Sequence, residues 1–212
     1  MGIYGDQVFP RIMNLVMDTR ETRQIRQRLC APLRGAVVEI GFGTGHNLPF
    51  MPGAVTRLLA VEPLTKARDL AAPRVAAARF PVEFVGLDGQ RLPLGDGSAD
   101  AVLSTWTLCS IDDPVAAVRE IGRILRPGGT LHFVEHGLAA GERVQKWQDR
   151  CNGLQRRMAC GCNLNRDVPA LMTEGGLSIQ GIDAYYAKGR PKALGWTFEG
   201  WATSGSTAVG PA

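Results

Sequence analysis

An α/β domain built on a mostly parallel sheet is the fold class this sequence predicts, and three observations carry the prediction. Short apolar runs rich in β-branched residues recur at residues 36 to 41 (AVVEIG), 58 to 62 (LLAVE), Val82 to Val85, Asp100 to Ser104 and Leu131 to Glu135. Each is followed by a segment able to form a helix, the alternation that right-handed crossovers between parallel strands produce. The 212 residues, 45% of them hydrophobic and 21% charged, can bury a core without covalent staples. Nothing inside the chain reads as a linker, so one domain is expected over 1–212.

In chain order, residues 6 to 34 come first. Val8, Phe9, Ile12, Met13, Leu15 and Val16 recur at helical spacing, and the next turns carry Arg20, Arg23, Arg26 and Arg28. The segment 1–34 reads as a helical lid, as a packed helix with a solvated basic face, or as a surface leaning on anionic lipid. The cofactor-binding core is expected over 35–138. Within it, Thr65 to Ala78 suits a crossover helix that Pro73 should kink or divide. A helix from Asp113 to Arg126 has Asp113 as its cap and Pro114 at its first position, with Val115, Val118, Ile121, Ile124 and Leu125 on one face. It stops at Arg126-Pro127-Gly128-Gly129. A looser, helical stretch over 139–170 opens the region 139–202, whose Ser178 to Tyr186 and Ala193 to Ala202 read as a closing strand pair. The small, polar tail 203–212 is expected to fray.

Composition excludes several classes. A formal charge of +4, spread along the chain, argues against nucleic acid as partner. Five cysteines, an odd number with no secretory leader, argue against a disulfide framework and for a reducing, cytoplasmic setting. No run reaches the roughly 18 consecutive apolar residues of a membrane-spanning helix, so membrane contact, if any, is peripheral. A metal reading of Cys151, Cys160 and Cys162 has no well-spaced fourth ligand, and no metal is expected.

The most informative segment is Glu39-Ile40-Gly41-Phe42-Gly43-Thr44-Gly45-His46-Asn47, after a strand and before an expected helix that His46 would start. Glycines 41, 43 and 45 let the chain turn sharply and bring bare backbone against a ligand. A dinucleotide fingerprint would place its third glycine at position 46, where this chain has histidine.

The G-x-G-x-G spacing resembles the first motif of the class I S-adenosylmethionine-dependent methyltransferases. Leu92-Pro93 followed by Asp96-Gly97-Ser98-Ala99-Asp100, and Leu125-Arg126-Pro127-Gly128-Gly129, resemble the quinone C-methyltransferase type within them. The resemblance implies a Rossmann-like fold, seven strands with helices on both faces, and S-adenosylmethionine as cofactor, leaving as S-adenosylhomocysteine. It implies Gly41, Gly43 and Gly45 around the methionine part, with Glu39 supporting the loop. Glu62, with Pro63 beside it, falls on the ribose diol, Asp88 and Gly89 at adenine, and Thr105, Trp106 and Thr107 beside the sulfonium.

Further strings, Ser104-Thr105-Trp106-Thr107-Leu108-Cys109-Ser110, Glu135-His136, Trp147-Gln148 and Gly161-Cys162-Asn163-Leu164-Asn165-Arg166-Asp167, resemble the methyltransferase-like seven family. Its members methylate alkyl thiols and are membrane-associated; here Cys160 replaces an acid before the Gly-Cys pair, and the family's apolar N-terminal anchor is not seen. The expected reaction is in-line methyl transfer to a small, fairly apolar acceptor, a thiol ahead of a phenol or quinol. His136 is the residue expected to take or orient the acceptor's proton, and Tyr4, Phe9, Trp106 and Cys162 are expected to line its site. A nicotinamide-dependent oxidoreductase and a non-catalytic cofactor-binding protein remain the rival classes.

Overall fold

The computed structural model describes residues 2–204. Seven strands form one sheet: β1 (Gly35–Ile40), β2 (Val55–Val61), β3 (Val82–Gly86), β4 (Ala99–Thr105), β5 (Leu125–His136), β6 (Leu177–Tyr186) and β7 (Trp196–Ser204). Their order is β3-β2-β1-β4-β5-β7-β6, with the first five parallel and β7 inserted antiparallel between β5 and β6. Strand order reverses between β1 and β4, which leaves a crevice at their carboxyl ends, the place where open α/β sheets bind ligands.

Helices cover both faces: α1 (Phe9–Val16), α2 (Arg20–Cys30), α3 (Thr65–Ala76), α4 (Pro114–Ile124), α5 (Glu142–Met158), α6 (Val168–Glu174) and the single turn α7 (Lys192–Gly195). Because β1 is covered on both sides, its buried residues do not alternate with exposed ones, and even its one acid, Glu39, is buried. Val38 and Ile40 join Val118, Ile121, Ile124 and Met172 in one cluster, while Val37 joins Ile25, Leu29 and Ala71 in the other. Helix α4 has the expected cap, with the Asp113 side chain accepting from the Ala116 N–H at 2.9 Å, but it ends at Ile124: Leu125 to Gly129, expected as its last residues and its stop, already belong to β5.

Several expectations need correction. Residues 4–30 are not one helix: a π-helical turn (Tyr4–Val8) leads into α1, and the chain breaks before α2, where Thr19 and Thr22 form a reciprocal cap. Pro73 does not divide α3, which runs unbroken from Thr65 to Ala76; it and Asp69, whose carbonyl it leaves unbonded, are both exposed and open to water. The glycine loop leads into no α-helix but into a three-residue 3-10 turn, Leu48–Phe50, because Pro49 and Pro52 leave no room for further helical hydrogen bonds. His46 therefore starts no helix; it is buried, with burial holding its pKa down to about 4. The closing strand β7 begins at Trp196, later than residue 193, behind α7. Residues 203 and 204 complete β7, and the rest of the expected tail lies outside the described residues.

Candidate active site

The glycine loop closes over the carboxyl ends of β1 and β4. Gly41 has a φ of +72°, and a Cβ there would lie 2.0 Å from Thr107 Oγ1, so the loop after β4 presses directly on it. Gly43 also has positive φ, at +59°, yet a Cβ there would meet nothing closer than the Gly41 carbonyl at 3.9 Å. The two glycines thus serve different ends: one lets protein pack on protein, the other keeps open space beside bare backbone. Gly45 turns the chain against Phe42 and Leu48.

Glu62, directly after β2, is buried, and each carboxylate oxygen accepts one backbone N–H, from Gly43 at 2.7 Å and from Leu64 at 2.9 Å. A carboxylate has about four lone-pair positions, so two stay free for a vicinal diol. Pro63 beside it is exposed. Asp88 is exposed on its loop and accepts from the backbone and side-chain nitrogens of Gln90, while Gly89 is buried against Ile40.

Beneath the loop, Glu39 is fully buried, and burial pushes its carboxyl up to about 8. Its Oε1 accepts from Asn47 Nδ2 at 2.7 Å, whereas its Oε2 is buried with no partner. Asn47 also donates to Thr105 Oγ1 at 3.1 Å and accepts from Arg26 Nη1 at 2.6 Å. Arg26, read from the sequence as part of a solvated basic face, is buried, its guanidinium 5.2 Å from the Trp106 ring centroid. A helix expected to lie on the domain instead reaches into the floor of the site.

On the other side, Trp106 has a φ of +53°, a conformation that a bulky residue holds only when its surroundings enforce it. Enforcement comes from Glu135, buried in β5. Its carboxylate accepts from Ser104 Oγ at 2.7 Å and from the N–H groups of Thr107, Leu108 and Cys109 at 3.1, 3.0 and 3.1 Å. The neighbouring His136 places Nδ1 3.7 Å from Cys162 Sγ, which lies 3.4 Å from Cys109 Sγ. Tyr4, partly exposed, donates to the Met158 carbonyl at 2.8 Å, and its ring stands 6.3 Å from that of Phe9. Trp147 points into solvent. The structure thus brings Glu39 and Thr105 together through Asn47, with Trp106 against Arg26; Gly43 pairs with Glu62, and His136 meets Cys162 beside Cys109. Sequence reasoning missed Arg26, Asn47, Cys109 and Glu135, although Asn47, Cys109 and Glu135 sit inside motifs it singled out.

Residues 38–133 match the family model described as a methyltransferase domain. Human thiol S-methyltransferase TMT1B is 30% identical over 174 residues, spanning 76% of this chain and 71% of that protein. The chain belongs to this methyltransferase family. Human TMT1A is 32% identical over 169 residues, 78% of this chain and 66% of its own. A putative methyltransferase of Haloferax volcanii, solved in complex with its Trm112 activator, superposes with a TM-score of 0.70 at 18% identity, over 95% of this chain and 96% of that one.

The methyl donor of this methyltransferase is S-adenosylmethionine, and the residues present fit it. The cofactor carries a ribose diol, which the two free lone-pair positions of Glu62 suit, and an ammonium group on its zwitterionic amino-acid end, which the unpartnered, buried Glu39 Oε2 suits. The open space beside Gly43 gives backbone access between them.

Proposed function

We propose that this methyltransferase transfers the methyl group to the sulfur of a small, fairly apolar thiol. The single observation that carries this reading is the sulfur- and imidazole-lined end of the crevice, where Cys109, His136 and Cys162 converge beside the Thr105–Thr107 loop. Soft, weakly polar groups of this kind suit a thiol better than a hydroxyl that needs matched hydrogen bonds. The 30% identity to a thiol S-methyltransferase supports the same reading.

S-adenosylmethionine supplies a methyl group on a positively charged sulfur. A thiol with a pKa near 8.5 is already a few per cent thiolate at pH 7, so the protein's main contribution is alignment and exclusion of water. The acceptor sulfur forms the new carbon–sulfur bond as the old one breaks, its electron pair returns to the donor sulfur, and the thiol proton leaves to solvent. His136 orients the acceptor sulfur, Glu62 holds the ribose diol, Asp88 and Gly89 receive the adenine, and Glu39 receives the amino-acid end.

The N-terminal helices act as a lid. Arg74 of α3 donates to Asn14 Oδ1 at 3.0 Å, Arg26 reaches Asn47, and Tyr4 is tied to Met158 at the end of α5, so the segment bridges both sides of the crevice. Among the described residues no helix is long and apolar enough to cross a membrane. A methyl-transfer assay with labelled cofactor on alkyl thiols, phenols and quinols should label thiols fastest; preferential labelling of phenol or quinol would overturn the thiol reading.

A further inference from the structure

Cys109, His136 and Cys162 come from three separate elements: the loop after β4, the end of β5 and the turn between α5 and α6. Among the described residues, they are the one group of three potential metal donors whose ligand atoms all lie within 4.8 Å of one another. Cys162 Sγ stands 3.4 Å from Cys109 Sγ and 3.7 Å from His136 Nδ1. With zinc–sulfur bonds near 2.3 Å and zinc–nitrogen bonds near 2.0 Å, a tetrahedral site has edges of about 3.8 Å between two sulfurs and about 3.5 Å between sulfur and nitrogen. These two edges differ from the ideal ones by a few tenths of an ångström, and the third, from Cys109 Sγ to His136, is within 4.8 Å.

The three groups are also held in place. The Cys109 N–H is bonded to Glu135, and its carbonyl accepts from the Asn163 backbone and side-chain nitrogens at 2.8 and 3.1 Å. Gly161, with φ at +101°, packs so that a Cβ would sit 2.9 Å from the Ser110 carbonyl oxygen. These contacts lock the 109–110 and 161–163 segments together. Both thiols are buried and neither is in a disulfide.

We propose that Cys109, His136 and Cys162 bind one thiophilic divalent cation of the zinc class at the acceptor end of the crevice. Three protein ligands leave one tetrahedral position open, the arrangement of a reactive zinc centre and not of a closed structural one. Resting on the thiol reading above, the acceptor fills that position as a thiolate, releasing its proton to solvent. Two cysteine thiolates and one acceptor thiolate around a divalent cation leave one net negative charge. Arg166, whose guanidinium donates to the Leu108 carbonyl next to Cys109, supplies the compensating positive charge.

The test uses the whole protein, reduced and chelator-treated, then titrated with Co2+. One equivalent should bind, with the near-ultraviolet thiolate charge-transfer band and intense visible bands of a tetrahedral site, and Zn2+ should displace it. Cys109→Ser and Cys162→Ser should each weaken binding at least tenfold, His136→Ala likewise, while Cys151→Ser and Cys160→Ser bind as before. Unchanged S-adenosylhomocysteine affinity in the Cys109 and Cys162 variants confirms that they fold. Absence of stoichiometric binding, or the same spectrum in a Cys109→Ser, Cys162→Ser double variant, overturns the site. Added alkyl thiol should intensify the charge-transfer band; a band it leaves unmoved overturns the acceptor's place on the ion. Thiol methylation undiminished after chelation overturns the ion's part in catalysis and leaves the thiol reading standing.

Discussion

Glu62 and Glu135 make an instructive pair. Each stands at or just beyond the carboxyl end of a parallel strand, each is buried, and burial pushes both carboxyls above their ordinary range while backbone N–H groups pull them back. Glu62 takes two hydrogen bonds, one per oxygen, and keeps capacity for a ligand. Glu135 takes four, three of them on Oε1, and is used up in holding the loop from Ser104 to Cys109. The same residue type at the same kind of position therefore keeps room for a ligand after β2 and is spent as a structural clamp in β5. What separates them is how many lone pairs the protein leaves free.

The comparison breaks most decisively at Glu135. Glu135→Ala strands four donors in a dry interior, each unsatisfied group costing about 1 to 3 kcal/mol with partial relaxation. The expected loss of unfolding free energy is about 3 kcal/mol or more, read from the urea midpoint at an unchanged slope. A loss below about 1 kcal/mol would show that the loop holds itself and that Glu135 is no clamp.

Glu62→Ala should show the opposite balance. The dissociation constant for S-adenosylhomocysteine, measured by calorimetry, should weaken by about 1.5 to 3 kcal/mol, the worth of hydrogen bonds to a charged group. The stability loss should be the smaller of the two variants, because only Gly43 and Leu64 lose a partner. Unchanged affinity would reduce Glu62 to a second clamp and erase the distinction.

That asymmetry also decides what could be read from the chain. The donor side is written in contiguous residues: Gly41, Gly43 and Gly45 set their own backbone angles, and Glu62 ends the next strand, so local rules reach them. The strand segments and the α4 cap were equally legible, because apolar periodicity and cap residues act over a few positions. The acceptor side is a meeting of distant segments. His136 and Cys162 could be picked from motifs, but their contact with each other and with Cys109 depends on how the 161–163 turn docks on the β4 loop, which no local spacing encodes. Arg26 was misread for a related reason: charge runs are usually solvated, and only the tertiary partner Asn47 makes this one buried. The helix expected after the glycine loop failed on two prolines whose effect outweighed the motif's usual continuation.

A third buried glutamate sharpens the contrast through pH. Burial raises Glu39 from 4.5 to about 8, so between those values the folded protein keeps a proton that the unfolded chain has released, and stability falls as pH rises through that window. Glu62 and Glu135, also raised by burial, push in the same direction. His46 and His132 push the other way at lower pH. Burial lowers both from 6.5 to about 4, so the unfolded chain binds protons that the folded protein refuses, and stability is lost as pH falls from 6.5 toward 4. Above pH 6.5 the histidines no longer contribute, and the carboxyls act without them. Stability of the ligand-free protein should therefore fall by about 2 kcal/mol between pH 6.5 and pH 8 through Glu39 alone, at about 1.4 kcal/mol per pH unit. Glu39→Gln keeps an acceptor for Asn47 and removes the titrating group, so urea unfolding of that variant should lose most of the alkaline decline and retain the acid one. An alkaline limb that persists undiminished in Glu39→Gln would shift its origin to Glu62 and Glu135, and would make the burial of those two carboxyls, and not of Glu39, the main electrostatic cost of building the crevice.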